Sequence, residues 1–274
     1  MKRPVAIITG ASGGIGSAYA RELARRGYQL LLTGRNTTKL MLLKTDLEKH
    51  YLTNVSCFTA DLSCSDSLDL FLQETNRLET VELLINNAGF GCQSDFFSDD
   101  YTSHLNMLAV HITAVVKLVH HIVPKMLKNG FGKIINVASL AAFMPAHYSY
   151  IYSPSKRFLV SFSECLSLGL NPQHITVQVL CPGFTKTEFM DNIDGNILPK
   201  WMKKGIFWMT PERVVRISLN ALNRHNVIVI PGTVNKLLYR IKSLLPDHLY
   251  YLFAASKGTK SKTLHSEYLS KIRT

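Results

Sequence analysis

Residues 5–16 read VAIITGASGGIG, a short apolar run followed at once by a glycine-rich stretch and the start of a helical pattern. The run Val5–Thr9 lacks polar alternation, which is typical of a strand buried on both faces in a parallel sheet. Apolar residues then recur at helical spacing from Ile15 to Arg26, and Gly27 follows as a typical C-cap residue. The stretch predicts a strand, a tight glycine turn and a helix.

The same alternation of apolar runs and helical patterns continues to about residue 230. We expect strands at 5–9, 29–33, 55–59, 82–86, 133–138, 175–181 and 226–230. We expect helices at 15–26, 37–50, 65–77, 99–128, 153–170 and 212–223, with Pro124 bending or resetting the longest of them. Repeated strand–helix order implies right-handed crossovers. The fold class predicted is α/β, with a doubly wound parallel sheet of seven strands. One domain, 1–232, is followed by a C-terminal extension, 233–274.

Composition excludes several classes of protein. The chain has 274 residues, of which 46% are hydrophobic and 18% charged, as in a globular domain rather than a disordered or fibrous chain. The cysteines form no CxxC pair, so we expect neither a disulfide framework nor a structural zinc site. The histidines show no metal-binding spacing, and no metal site is predicted. No uninterrupted apolar run reaches the ~18 residues of a membrane span. A cytoplasmic location fits these observations. The cysteines are Cys57, Cys64, Cys92, Cys165 and Cys181.

Half of the formal net charge of +12 lies in residues 233–274, which hold eight basic and two acidic side chains. No nucleic-acid recognition motif accompanies this charge, so we expect no nucleic-acid partner. The tail is either a solvated segment or a peripheral contact with anionic lipid or a partner. Within it, Leu237–Ala255 is apolar but broken by charges. Docking on the fold or an oligomer contact ranks ahead of a membrane surface for this segment.

Ligands of open parallel sheets bind beyond the carboxyl ends of the strands, and the unusual residues of this chain fall there. The glycine-rich turn after the first strand lets the backbone approach a pyrophosphate at the helix N-terminus, although such a turn can also be purely structural. The candidate cofactor contacts in it are Gly10, Ser12, Gly13, Gly14, Ile15 and Gly16.

Three further loops extend this candidate nucleotide site. The second strand is followed by Arg35 and no acid, which favours the 2′-phosphate of NADP over NAD unless Arg35 is only a surface residue. Asp61 and Leu62 follow the third strand, where the carboxylate could accept from an adenine amino group or merely cap a helix. Asn87, Ala88 and Gly89 end the fourth strand with small and amide side chains, which suit a flat ligand or a turn.

Ser139 directly follows the fifth strand, and Tyr152 and Lys156 come shortly after it. At i and i+4 the phenol and the ammonium share one helical face. An ammonium about 4 Å from the phenol would lower its pKa by ~3 units at an effective dielectric of 20, and burial would oppose this. If the charge prevails, the phenol pKa falls towards neutral and Tyr152 becomes a general acid and base.

Five motifs, and their order along the chain, resemble those of the short-chain dehydrogenase/reductase family. The resemblance is in particular to its bacterial oxidoreductases and hydroxysteroid-dehydrogenase-like members. The motifs are T-G-x-x-x-G-x-G at 9–16, N-N-A-G at 86–89, Ser139, Y-x-x-x-K at 152–156 and P-G at 182–183. The resemblance covers roughly residues 3–232. It implies a Rossmann-type fold, hydride transfer between a nicotinamide and a carbonyl/alcohol pair, and a homo-oligomer, either a dimer or a tetramer.

The resemblance also implies residue roles. Tyr152 would protonate the carbonyl, Lys156 would lower the phenol pKa and hold the nicotinamide ribose, and Ser139 would orient the substrate oxygen. Asn106 would support a proton-relay water. Four residues would pack near the nicotinamide amide, and Tyr152 and Lys156 would also contact the cofactor. The four residues are Pro182, Gly183, Thr185 and Thr187.

In the family, the stretch corresponding to 184–210 closes over the substrate. Here it is rich in aromatic and other apolar residues, including Trp201 and Trp208, which implies either a lid selecting an apolar ketone or alcohol, or two small core helices. Residues 143–147 could line the same pocket. We therefore predict an NADP(H)-dependent oxidoreductase acting on an apolar substrate. The alternatives are a catalytically silent nucleotide-binding scaffold or redox sensor, and isomerase-type chemistry on the same fold.

Overall fold

The computed structural model describes residues 3–91, 96, 100–146, 149–191, 205–224 and 226–256. Its centre is one sheet of seven parallel strands in the order β3-β2-β1-β4-β5-β6-β7. The doubly wound parallel sheet predicted from the sequence is confirmed, although β7 is only two residues long. The strands are β1 Val5–Thr9, β2 Gln29–Gly34, β3 Val55–Thr59, β4 Leu83–Asn86, β5 Gly132–Val137, β6 Ile175–Leu180 and β7 Ile228–Val229.

Helices cover both faces of the sheet. One face packs through residues such as Phe71, Leu118 and Val160, and the other through residues such as Leu23 and Leu219. Because both faces are covered, the strands are almost continuously apolar. The helices are α1 Gly14–Arg25, α2 Thr37–His50, α3 Ser65–Thr75, α4 Tyr101–Leu108, α5 Ala114–Asn129, α6 Tyr152–Leu170, α7 Glu188–Asp191, α8 Pro211–Leu222, α9 Thr233–Leu244 and α10 Asp247–Ser256.

The strand order reverses between β1 and β4, and this switch point is tied together by Thr9. Its Oγ1 accepts hydrogen bonds from the backbone N–H groups of Asn87 and Ala88, each at 3.0 Å, and donates to the carbonyl of Ile85 at 3.4 Å. The carboxyl ends of β1 and β4 are therefore held side by side. A crevice at this position is where open α/β sheets bind their ligands.

The long helix expected over 99–128 is continuous from Tyr101 to Asn129, but its middle is π-helical over Ala109–Thr113. Pro124 lies inside α5, which continues beyond it, so the change of hydrogen-bonding pattern is not at the proline. Among the described residues this stretch alone is long and apolar enough to span a membrane. It packs on the sheet as a core helix through Met107, Val110, Ala114, Val115, Leu118, Val119, Ile122 and Met126.

The C-terminal extension forms α9 and α10, which contact the loop after β5. The ring of Tyr239 packs edge-on against Phe143, with 4.7 Å between centroids, and the Tyr250 hydroxyl donates to the carbonyl of Pro145 at 2.6 Å. Asn235, at the start of α9, is buried and donates to the carbonyl of Pro231 at 2.7 Å. The part of the predicted tail from 257 onward lies outside the described residues.

Candidate active site

The glycine turn after β1 leaves Gly13, just before α1, open to a ligand. The N-cap residue Gly13 offers no side-chain cap, and the first turn carries no acid. A Cβ built on Gly13 meets no atom of the described residues within 4 Å, whereas one on Gly16 would lie 2.2 Å from the carbonyl oxygen of Gly10. Gly10 and Gly14 have positive φ values of 61° and 50°. The backbone N–H groups at this helix start suit a phosphate, so the loop fits a dinucleotide.

Asn87 supports this loop through its side chain. Its Nδ2 donates to the carbonyl oxygens of Thr9 and Gly10, both at 3.0 Å. The amide therefore positions the glycine turn. Ile15 is partly buried and packs its side chain against the core.

Arg35 lies at the carboxyl end of β2 with its guanidinium exposed. It stands 5.8 Å from the ring centroid of Phe90 and forms no ion pair with a described residue. Ser12 is close by, since a Cβ on Gly34 would lie 3.1 Å from its hydroxyl. An exposed guanidinium at this edge fits a 2′-phosphate.

Asp61 accepts hydrogen bonds from the backbone N–H of Ser63 at 3.0 Å and from its hydroxyl at 2.7 Å. Burial alone would raise the pKa of this carboxyl, but the Ser63 hydrogen bonds and the charge of Arg35 outweigh it and lower the pKa. Asp61 is thus ionised beside the cleft. The side chain of Leu62 is buried in the core, which leaves only its backbone to face a cofactor.

Ser139, Tyr152 and Lys156 converge beyond the carboxyl end of β5. Ser139 follows this strand, and its hydroxyl hydrogen-bonds with that of Tyr152. Tyr152 is the first residue of α6, where Pro154 is accommodated because first-turn N–H groups have no helical partner. Lys156 is buried, and its Nζ donates to the carbonyl of Val137 at 3.0 Å. The three groups form a site that can hold and protonate a carbonyl oxygen.

The expected fall of the Tyr152 pKa is not seen in this structure. Burial raises the pKa of the phenol to about 12, although the hydrogen bond with Ser139 lowers it in part. Burial also lowers the pKa of Lys156 to about 8. The ammonium lies 5.7 Å from the Tyr152 ring centroid and donates to the carbonyl of Val137, and its charge is not among the causes that shift the phenol pKa.

Asn106 is not brought into this cluster. It is half-buried on α4, and its side chain hydrogen-bonds none of the described residues. The relay role predicted for it finds no support in the geometry. His111, five positions along in the π-helical segment, is instead buried against Tyr152, with 5.7 Å between ring centroids.

Sequence reasoning missed His111, because it searched the histidines only for metal spacing. A signal was present: His111 shares the apolar stripe of Met107, Val115 and Leu118, where a polar side chain needs a partner.

The predicted nicotinamide-side residues border the same crevice. The carbonyl of Pro182 accepts from the N–H of Leu140 at 2.8 Å, which joins the loops after β5 and β6. Gly183 lies against Asn235, since a Cβ there would be 2.5 Å from its Oδ1. The Thr185 hydroxyl donates to the carbonyl of Gly183 at 3.1 Å.

The segment after β6 also reaches across the crevice to the glycine turn. The methyl group of Thr187 reaches Gly14, because a Cβ built on that glycine would lie 2.8 Å from it. Lys39 of α2 and Glu188 of α7 form an ion pair at 2.6 Å, which links the two sides of the crevice.

The described ends of the predicted lid, 184–191 and 205–210, are joined at their base. Met209 donates its N–H to the carbonyl of Phe184 at 3.0 Å, and Phe184 stacks on Trp208 with 5.5 Å between centroids. The ring of Phe189 lies 5.9 Å from that of Tyr152. An apolar surface therefore adjoins the candidate acid. Trp201 and His147 lie outside the described residues.

The order of these motifs and their convergence agree with the comparison with known proteins. Residues 4–197 match the family model for the short chain dehydrogenases. The chain belongs to this family. It is 31% identical over 223 residues to "Very-long-chain 3-oxoacyl-CoA reductase-B" of Danio rerio, covering 79% of this chain and 68% of the relative. It is 29% identical over 273 residues to "17-beta-hydroxysteroid dehydrogenase type 3" of Mus musculus, covering 97% and 83%.

A solved structure extends the similarity to the whole fold. The short-chain dehydrogenase from Sphingobium yanoikuyae in complex with NADPH superimposes with a TM-score of 0.77 at 28% identity, covering 94% of this chain and 95% of that one. The family resemblance inferred from five motifs is thereby confirmed.

Proposed function

We propose that this protein is an NADP(H)-dependent short-chain oxidoreductase that interconverts an apolar ketone and its alcohol. The convergence of Ser139, Tyr152 and Lys156 at the carboxyl edge of the sheet carries this proposal. A silent nucleotide-binding scaffold would need none of the three side chains in this arrangement. The test is turnover: purified protein is mixed with NADPH and a long-chain or polycyclic ketone, and nicotinamide absorbance is followed. NADPH binding without consumption of any such ketone would favour the scaffold.

When bound, NADPH would supply the hydride for reduction of the carbonyl carbon. Ser139 and Tyr152 hold the carbonyl oxygen through their hydroxyl groups, and Tyr152 donates its proton to that oxygen. Lys156 stabilises the phenolate that this leaves. In the direction of oxidation the phenolate removes the proton from the alcohol.

The rest of the proposed site would bind NADP. The pyrophosphate would be held by Gly10, Ser12, Gly13, Gly14, Ile15 and Gly16, and the 2′-phosphate by Arg35. The adenine would be held by Asp61 and the backbone of Leu62. The nicotinamide and its ribose would lie beside Asn87, Ala88, Gly89, Pro182, Gly183, Thr185 and Thr187. The relative solved with NADPH supports the choice of cofactor.

Arg35→Ala is expected to weaken NADPH binding about 10- to 100-fold, because a charged hydrogen bond to a phosphate contributes ~1.5–3 kcal/mol. NADH binding should stay within about threefold, since its ribose carries no 2′-phosphate. Titrations monitored by nicotinamide fluorescence measure the dissociation constants for NADPH and for NADH. Arg21→Ala on the outer side of α1 is the matched control, because Arg21 pairs with Asp46 away from the cleft. An equal loss for both cofactors would contradict the assigned role of Arg35.

An apolar substrate is supported by the side chains around the phenol. Phe189 lies beside Tyr152. Phe143 and Met144 are half-buried in the loop after β5, which also carries Ser139. The names of two relatives, a very-long-chain 3-oxoacyl-CoA reductase and a 17-beta-hydroxysteroid dehydrogenase, point the same way. Short polar ketones should therefore be poor substrates. Equal kcat/KM for short polar and long apolar ketones would contradict this.

We propose further that the protein is cytoplasmic and that its C-terminal helices contact anionic membrane surfaces. On α9, Leu237, Ile241 and Leu244 are 57%, 53% and 86% exposed at i, i+4 and i+7, which forms one apolar stripe. Lys236 and Arg240 are exposed on the same helix. An apolar stripe flanked by cations favours the interface of an anionic bilayer.

Sedimentation with vesicles tests this contact. Wild-type protein should bind vesicles that contain phosphatidylserine, and less so as salt increases. The double substitution Ile241→Glu, Leu244→Glu should reduce the bound fraction several-fold. It replaces two apolar side chains that would enter the bilayer interface with negative charges that an anionic membrane repels. Leu42→Glu on α2, where Leu42 is 67% exposed, is the control. Binding that is unchanged by the double substitution would exclude the α9 stripe as the contact.

A homo-oligomer, a dimer or a tetramer, is also proposed. Exposed apolar residues on the outer surface support it, among them Leu105, Phe158 and Leu168 at 45%, 38% and 81% exposure. Light scattering that gives the mass of one chain would contradict it.

A further inference from the structure

We propose that His111 is a positioning residue that couples the cofactor loop after β4 to the first turn of α6. This inference rests on the proposed function for its effect on turnover, but its effect on cofactor binding is independent of turnover. The residue lies in the π-helical segment of the long helix, a local change of pitch that often marks functional positions.

Both ring nitrogens of His111 are used, and their roles follow from the donors. The backbone N–H of Phe90 donates to Nε2 at 3.2 Å, so this nitrogen carries no proton. Nδ1 therefore carries the proton of the neutral ring and donates to the hydroxyl of Ser155, 2.9 Å away. Ser155 in turn donates to the carbonyl of Tyr152 at 2.8 Å. The neutral state is consistent with burial and with nearby Lys156, which both lower the His111 pKa.

These bonds connect two parts of the site that are far apart in sequence. Phe90 directly follows Gly89, in the loop proposed to border the nicotinamide. Ser155 lies between Tyr152 and Lys156 in the first turn of α6. Gly89 allows the close approach, because a Cβ there would lie 3.0 Å from Nε2 of His111 and 3.4 Å from Nζ of Lys156. His111 and Ser155 are both fully buried, so water cannot replace either bond.

Two substitutions separate the two bonds. In His111→Asn the short amide can still donate to Ser155 from near the Nδ1 position, but it no longer reaches Phe90. In His111→Gln the longer amide can accept from Phe90 near the Nε2 position, but it no longer donates to Ser155. Loss of a hydrogen bond that leaves a buried group unsatisfied is expected to change either the Kd for NADPH or kcat about tenfold, depending on which bond is lost.

We expect His111→Asn to raise the Kd for NADPH about tenfold and to keep kcat within about threefold. We expect His111→Gln to bind NADPH nearly as wild type, while kcat for ketone reduction falls about tenfold and the alkaline limb of the pH–rate profile moves. A purely structural role would lower the melting temperature without moving that limb. His121→Gln on α5, whose ring bonds to Asn76 at 3.0 Å, is the matched control and should change neither constant.

Ser155→Ala removes the hydrogen bond between His111 and Ser155, as His111→Gln does. It replaces His111→Gln in the experiment if that variant does not fold. It should likewise lower kcat and spare NADPH binding. Equal loss of binding and turnover in both His111 variants would overturn the proposal, and so would unchanged constants. If the wild-type protein reduces no ketone, the proposed function fails, and the contrast in NADPH affinity between His111→Asn and His111→Gln still decides the role of His111.

Discussion

Tyr152→Phe should lower the rate of ketone reduction by about 10²–10⁴-fold, because general acid catalysis contributes on that order. The substitution removes only the hydroxyl group that bonds with Ser139. The ring contacts with His111 and Phe189 remain, so the fold and the crevice should be retained. NADPH binding should stay within about threefold of wild type, which fluorescence titration measures. Single-turnover absorbance measures the chemical step.

The pH dependence provides a second readout for Tyr152. Burial raises the pKa of the phenol to about 12, so the protonated form that donates to a carbonyl oxygen predominates at neutral pH. Reduction should therefore persist through neutral pH and fall as the pH approaches the phenol pKa. Oxidation needs the phenolate and should increase with pH. If Tyr152→Phe retained turnover comparable to wild type, the proton would come from another group and the assignment would be wrong.

Gly16→Ala should be the most damaging small substitution in the cofactor site. A Cβ there would lie 2.2 Å from the carbonyl oxygen of Gly10 and 2.7 Å from Nδ2 of Asn87. The first of these atoms belongs to the backbone, so α1 and the glycine turn must separate. We expect a loss of about 1–3 kcal/mol in the free energy of unfolding, comparable to overpacking in a core, and a loss of NADPH binding of at least about tenfold.

Gly169→Ala is the matched control for Gly16→Ala. Gly169 lies in α6, and in the part of the chain that the structure describes no atom lies within 4 Å of a Cβ placed there. This substitution should raise the free energy of unfolding by roughly 0.5–1 kcal/mol, because alanine favours the helix. Denaturant unfolding measures both variants. A neutral effect at Gly16 would mean that the fold does not require the close approach between α1 and the glycine turn.

The sequence was sufficient to predict the architecture because its signals are local. Continuous apolar runs such as Val5–Thr9 identify buried parallel strands, and the glycine turn places α1 at the end of β1. Arg35, Ser139, Tyr152 and Lys156 could be selected because each falls in or directly after a loop at the carboxyl edge, where ligands of such sheets bind.

Other features could not be predicted because they depend on pairings across the fold. The neighbours of His111 include Phe90 and Ser155, which are 21 and 44 residues away in the chain. The π-helical segment that holds it has no signature in the apolar pattern. The Tyr152 pKa depends on the burial of the phenol and on its hydrogen bond with Ser139, and both are visible only in three dimensions.

The last two helices rest on the loop after β5 through the ring of Tyr239 on Phe143 and the hydroxyl of Tyr250 on Pro145. None of these contacts involves Ser139, Tyr152 or Lys156. Through these contacts the last two helices hold the loop that follows Ser139, without touching the reacting groups themselves. Substitutions that shift Phe143 or Pro145 from this side would leave the proton donor in place, so the end of the chain can change the surroundings of the reacting groups without changing the groups.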